Sequence, residues 1–144
     1  MRVTVFSTYT LRTLMYLASH PDRFVTIAEV AAAYGISANH LMKVVQHLAA
    51  KGLVQTLRGP HGGLRLAFSA DTIRVGDVIR GTEPDLVPPA RPADPDCPLP
   101  GVFGQALAAF MAVLDGCTIA DLLNESGALT VRSNAGLHTP SGGS

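Results

Sequence analysis

The sequence predicts a mainly α-helical chain carrying one small β-hairpin, arranged as a winged helix-turn-helix followed by a long apolar helix. Three observations predict it. In TIAEVAAAYGISANHLMKVVQHLAAKG (26–52) two helix patterns meet at Gly35, and the second has a polar, basic outer face. VQTLRGPHGGLRLAFS (Val54–Ser69) follows at once, with alternating runs either side of a glycine-rich basic tip. In CPLPGVFGQALAAFMAVL (97–114) there is no charged side chain.

The first element is a helix from Tyr9 to Ser19, where Leu11, Leu14, Met15 and Ala18 recur at helical spacing. His20-Pro21-Asp22 ends it, because proline cannot continue the hydrogen-bond ladder. Thr26-Ile27-Ala28-Glu29 has the form of a capping box and opens the second helix, which runs to Tyr34. Gly35 supplies its exit. Ser37 is the next N-cap, and a third helix runs to about Lys51. Its apolar stripe is Leu41, Val44, Val45 and Leu48; Asn39, His40, Lys43, Gln46, His47 and Lys51 cover the other side.

Leu53–Leu57 and Leu64–Phe68 both alternate, so they read as the strands of a hairpin. Gly59, Gly62 and Gly63 permit an irregular tip. A phosphate-cradling nucleotide loop fits RGPHGG less well, since no GK[ST] and no helix follow directly. A short helix near Val75–Arg80 comes next, then a proline-rich connector from Gly81 to Pro100.

The uncharged helix after the connector must be buried, because it is apolar nearly all round. Too few residues remain to enclose it within one subunit, so it is expected to pack against its own copy in a homodimer. A membrane span is the disfavoured rival: prolines and glycines crowd its first turn, and its length is at or below that of a bilayer crossing. Asp115-Gly116 ends it, and Thr118-Ile119-Ala120-Asp121 caps a short helix through Leu123. The expected organisation is a DNA-binding domain over 1–82, with the helix-turn-helix at about 26–51 and the wing at about 53–68. A connector and dimerisation helix occupy 83–126, and a flexible Gly/Ser-rich tail occupies 127–144.

Charge points to the partner. The chain is neutral overall, yet residues 1–80 hold nine Lys/Arg against four acids, and residues 81–144 hold two against seven. No acid lies between Glu29 and Asp71, a stretch containing His40, Lys43, His47, Lys51, Arg58, His61 and Arg65. A local basic surface of this kind suits a polyanion, here double-stranded DNA. Two cysteines and no secretory leader lead to the expectation of a cytoplasmic setting. No enzyme is expected: the chain shows no Ser-His-Asp set, no metal-spaced cluster and no nucleotide loop. His40 and His47 are seven apart on a helix, too distant to chelate together.

TLRTLMYLA, the 26–67 region, IRVGDVIRGTEPDL and ALAAFMAVLDGCTIADLL together resemble the winged-helix transcription regulators that include NsrR and IscR, with the nitric-oxide-responsive NsrR branch closest. The resemblance spans residues 1 to about 126. It implies a homodimeric, sequence-specific regulator, a repressor of nitric-oxide, redox or iron–sulfur stress genes, on a pseudo-palindromic operator. It places DNA contacts at Ser37, Asn39, His40 and Lys43 in the third helix and at Arg58, Gly59, His61 and Gly62 in the wing. The chemistry of the side chains agrees: Asn39 can pair with an adenine edge, and Lys43 and Arg58 can neutralise phosphate. Arg58 could instead read a base or enter a minor groove. An alternative within the same fold is a protein-interaction module that has lost DNA binding.

The resemblance also implies an iron–sulfur cluster held by three connector cysteines and a ligand from the partner's first helix. Here the chain departs from the pattern. Cys97 falls on the last of the three cysteines, Glu83–Asp96 contains none, and Thr8 stands where an aspartate ligand can occur. Cys117 lies twenty residues from Cys97, roughly 30 Å along a helix. No cofactor is therefore assigned. Cys97 is read as an inherited remnant, as a thiol sensor in a cluster-free or constitutive repressor, or as one ligand of an iron–sulfur cluster with non-standard ligands. Cys117 is read as a small buried apolar residue.

Overall fold

The computed structural model describes residues 2–86 and 97–126. Six helices and one antiparallel hairpin appear in the order α1 (Val5–Ala18), α2 (Ile27–Tyr34), α3 (Ala38–Ala50), β1 (Val54–Leu57), β2 (Gly63–Leu66), α4 (Val75–Thr82), α5 (Leu99–Asp115) and α6 (Ile119–Ser126), with a 3₁₀ turn at Pro84–Leu86. The fold is the mainly helical winged helix that the sequence predicts. The stiff connector and the flexible tail fall, for residues 87–96 and 127–144, outside the described residues.

Helix α1 starts four residues before the expected Tyr9. Thr4 caps it, its hydroxyl accepting from the Ser7 amide at 3.2 Å. A distant carboxylate fixes this start. Glu83, just past α4, accepts from the Thr4 amide (2.6 Å), the Thr4 hydroxyl (2.7 Å) and the Ser7 hydroxyl. Burial pushes the Glu83 pKa up, but the bonds from Ser7 and Thr4 outweigh it and the net shift is down. Ser7, Thr82 and Glu83 are all buried, so α1 is pinned to the end of α4 by a satisfied polar cluster.

The other ends follow local rules. Thr26 and Glu29 form the capping box of α2, and Gly35 ends it in the left-handed region at φ 63°. The Glu29 carboxyl also pairs with Arg23 at 2.8 Å. The Arg23 guanidinium and the Thr26 amide hold its pKa down at about 2 against an ordinary 4.5. A depressed folded-state pKa stabilises above the unfolded value and is lost as pH falls through the folded one. Acid titration of Glu29→Gln, followed by urea midpoint, is therefore expected to show a shallower loss than the parent from about 4.5 down to about 2. Parallel curves would remove the capping box from the acid response.

The core gathers Leu14 and Leu17 of α1, Val25, Val30, the Leu41–Val44–Leu48 stripe of α3, Leu64 of the hairpin and Val75, Val78 and Ile79 of α4. Ile119 of α6 is fully buried in the same core, because α6 returns to α1 and follows a backbone bridge between Arg74 and Thr118. The Thr118–Asp121 cap that opens α6 is present, and the helix continues past Leu123 to Ser126.

Helix α5 has no buried residue. Met111 and Leu114 pack on the core, while Leu99, Val102, Phe103 and Val113 stay exposed along an adjoining face. Among the described residues of a single chain nothing covers this apolar face. Among the described residues no helix is long and apolar enough to cross a membrane.

Candidate nucleic-acid interface

Ser37 begins the candidate interface: its hydroxyl accepts from the His40 amide at 3.3 Å and sets the first turn of α3. Leu41, Val44 and Leu48 are fully buried, so the opposite face must point outward. Asn39, Met42, Lys43 and Gln46 form one exposed stripe on that face. Asn39 offers both a donor and an acceptor, and Lys43 a point charge. His40 is also exposed but leans toward α1, its ring 6.1 Å from that of Tyr9. Met42 belongs to neither the apolar stripe nor the polar face that the sequence analysis assigns to α3. At 49% exposure, it presents a thioether beside Lys43 where a thymine methyl could be met.

The wing stands on two strands paired Val54↔Leu66, Gln55↔Arg65, Thr56↔Leu64 and Leu57↔Gly63. Each strand is shorter than the alternation predicts, and Phe68 lies beyond the ladder, 58% exposed. A third segment steadies the hairpin: Val25 and Leu64 exchange two backbone hydrogen bonds of 2.8 Å. Gly63 makes this possible, with φ 153° and Val25 backbone where a Cβ would sit.

The tip turns on Gly59 at φ 108° and is closed by the Gly62 amide donating to the Gly59 carbonyl at 3.0 Å. Arg58, Gly59 and His61 are exposed there, and Gly62 is half-buried. Among the described residues neither Lys43 nor Arg58 is within salt-bridge distance of a carboxylate. Arg65, by contrast, is committed. Its Nε donates to Gln55 at 3.0 Å and its guanidinium lies 4.6 Å from the centre of the Phe24 ring. It braces the wing, leaving Arg58 as the cation at the tip, with His61 exposed beside it in sequence.

A family model, Rrf2, described as iron-dependent transcriptional regulators, matches residues 3–125. The chain belongs to the Rrf2 family. It is similar to CymR of B. subtilis, the global cysteine regulator (26% identity, 86% of this chain and 97% of that one, TM-score 0.77). It is similar to IscR of T. potens (28% identity, 88% of each chain, TM-score 0.76). It is also similar to the oxidised form of CymR from Staphylococcus aureus (25% identity, 85% and 96%, TM-score 0.73). Rrf2 members are transcription regulators, so the chain is a DNA-binding regulator of the winged-helix type and not an enzyme.

An iron–sulfur cluster does not fit the donors this Rrf2 chain supplies. Both of its cysteines, Cys97 and Cys117, are free thiols. They flank the two ends of α5, a 17-residue helix that at 1.5 Å per residue spans about 25 Å. Cys97 is half-buried. Cys117 sits against the core, and burial, with Asp121 and Glu125 adding, pushes its thiol pKa up, away from the thiolate a metal needs. Thr8 donates its hydroxyl to the Thr4 carbonyl at 3.2 Å, a helix-local bond. Among the described residues no three His, Cys, Asp or Glu side chains gather as metal ligands.

Proposed function

We propose that the chain acts as a homodimer on a pseudo-palindromic operator, with α3 in the major groove and the wing beside it on the phosphate backbone. Two copies join through the uncovered face of α5. In this reading Asn39 reads a base edge, Lys43 and Arg58 neutralise phosphates, and His40 and His61 donate to the backbone. Ser37 orients the first turn of α3, and Gly59 and Gly62 bring the wing backbone close. Met42 adds an apolar contact. The observation that carries the reading is a helix whose Leu41, Val44 and Leu48 are fully buried while Lys43 stays exposed, followed by a wing with Arg58 exposed at its tip, neither side chain having a carboxylate partner among the described residues.

The regulator is of the repressor type and cytoplasmic in this reading. Its signal enters without a cluster held by four protein ligands. Its targets are expected among nitric-oxide, redox or iron–sulfur stress genes, an expectation carried by the family resemblance.

Operator binding measured by fluorescence anisotropy across a salt series tests the contacts. Binding should weaken linearly in log salt, as phosphate neutralisation requires. Lys43→Ala is expected to weaken all duplexes alike and, with two copies bound, to lower the salt slope by about two. Asn39→Ala is expected to cost about 1–3 kcal/mol on the preferred base and to relax the choice at that position. If both variants bind every duplex as the parent does, α3 is not the reading helix.

A further inference from the structure

One feature of the fold has no part in the DNA-binding face. Between the C-terminal turn of α3, the exit of the hairpin and the outer side of α4 lies a cleft of about 670 Å³. Small-molecule sites typically occupy roughly 300–1,000 Å³ and combine an apolar wall with a few placed polar groups. This cleft has both. Leu53, Phe68 and Val78 give it an apolar side, and Phe68 contributes a ring that is 58% exposed and has no place in the core. Lys51, Arg74 and Arg80 line it against one acid, Asp77.

The three cations differ in how far they are already satisfied. Arg80 holds the Asp115 carboxylate through two bonds of 2.7 Å and reaches Asp77 at 3.2 Å. Arg74 donates to the Asp115 carbonyl at 2.6 Å and has no carboxylate pair among the described residues. Lys51 likewise lacks a carboxylate within salt-bridge distance among the described residues. His47 also lines it, and burial, with Lys51 adding, lowers its pKa. At Gly81 the wall is missing: a Cβ there would meet nothing nearer than 3.6 Å, at His47 Nε2.

We propose that this cleft binds a small organic anion with an aromatic or branched apolar body, and that its occupancy alters the setting of α5 against the winged helix. The apolar body lies along Phe68, Leu53 and Val78. The anionic group meets Lys51 and Arg74 and competes with Asp115 for Arg80. Asp115 is the last residue of α5, and it also packs against Gly76 of α4, where no side chain would fit without displacing it. An anion drawing Arg80 away therefore acts on the contact that fixes α4 against α5. That second step rests on the DNA-binding reading above; the binding site itself does not.

The test uses the full chain with 1-anilinonaphthalene-8-sulfonate, an aromatic anion of this class whose fluorescence rises in apolar sites. The parent is expected to bind it, and Lys51→Met to bind about tenfold more weakly, the effect of losing one charge-assisted bond. Gly81→Leu fills the cleft from a helical position where a side chain meets no backbone, and it is expected to abolish that binding. Circular dichroism on both variants checks that they fold, and Lys51→Met, an exposed change, serves alone if Gly81→Leu does not. Saturating probe should also shift operator affinity in the parent and leave Gly81→Leu unmoved. No binding by the parent, or equal binding by parent and Lys51→Met, overturns the site. Binding without any shift on an operator that is otherwise bound overturns the coupling. A chain that binds the probe but no duplex overturns the DNA-binding reading and leaves the site standing.

Discussion

Phe103→Asp should leave a folded monomer that has lost nearly all operator affinity. Phe103 is 67% exposed on α5 and stands with Leu99, Val102 and Val113 on the face that the described residues of one chain leave uncovered. The substitution therefore removes no core contact, and the thermal midpoint of the single subunit should barely move. In the proposed dimer the same position is buried twice over. Each copy then loses about 1.5–3 kcal/mol of apolar burial and gains a desolvated carboxylate beside its counterpart. Once the two reading heads separate, the second no longer binds at the high local concentration set by the first. Avidity of this kind is worth on the order of 10²–10⁴ in affinity, and that is the expected loss. Sedimentation velocity reads the assembly state and anisotropy reads the affinity. A parent that sediments as one chain, or a variant that stays paired, would defeat the dimer.

The elements legible in the sequence were those whose cause is local. The Thr26–Glu29 box, the Gly35 exit, the Ser37 cap and the Leu41–Val44–Leu48 stripe each depend on residues within a turn or two, and all are present. The exposed positions of α3 follow from that stripe, so the sequence alone places Asn39 and Lys43 on the outside.

What was not legible depended on distant partners. The true start of α1 is held by Glu83, 79 residues from Thr4. The return of α6 depends on Ile119 entering a core built mostly from residues before 80, joined through the Arg74–Thr118 bridge. Strand lengths were overestimated because alternation continues through Phe68, while the ladder ends at Leu66. Within the candidate interface the same division holds. Arg65 and Arg58 look alike in a charge count, and only the positions of Gln55 and Phe24 show that Arg65 is engaged. The cleft behind α3 left no local trace, since its lining comes from three separated segments.

A large stability effect is expected from one methyl group at Gly63, where positive φ and a backbone clash coincide. Gly63→Ala asks a side-chain-bearing residue to adopt φ 153° and puts its Cβ against the Val25 backbone. The first demand costs about 1–3 kcal/mol. The second forces the wing away from Val25 and breaks the pair of 2.8 Å bonds between Val25 and Leu64, another ~1–3 kcal/mol. Gly59→Ala separates the two demands. Gly59 also has positive φ, 108°, but nothing lies within 4 Å of its missing Cβ, so only the backbone cost applies. Urea unfolding should therefore show both variants destabilised, with Gly63→Ala worse by the ~1–3 kcal/mol of the lost bridge. Hydrogen exchange should show the Val25 and Leu64 amides deprotected in Gly63→Ala alone. Equal losses in the two variants would mean that the bridge adds nothing, and the wing would then rest on β1, β2 and the Arg65 brace alone.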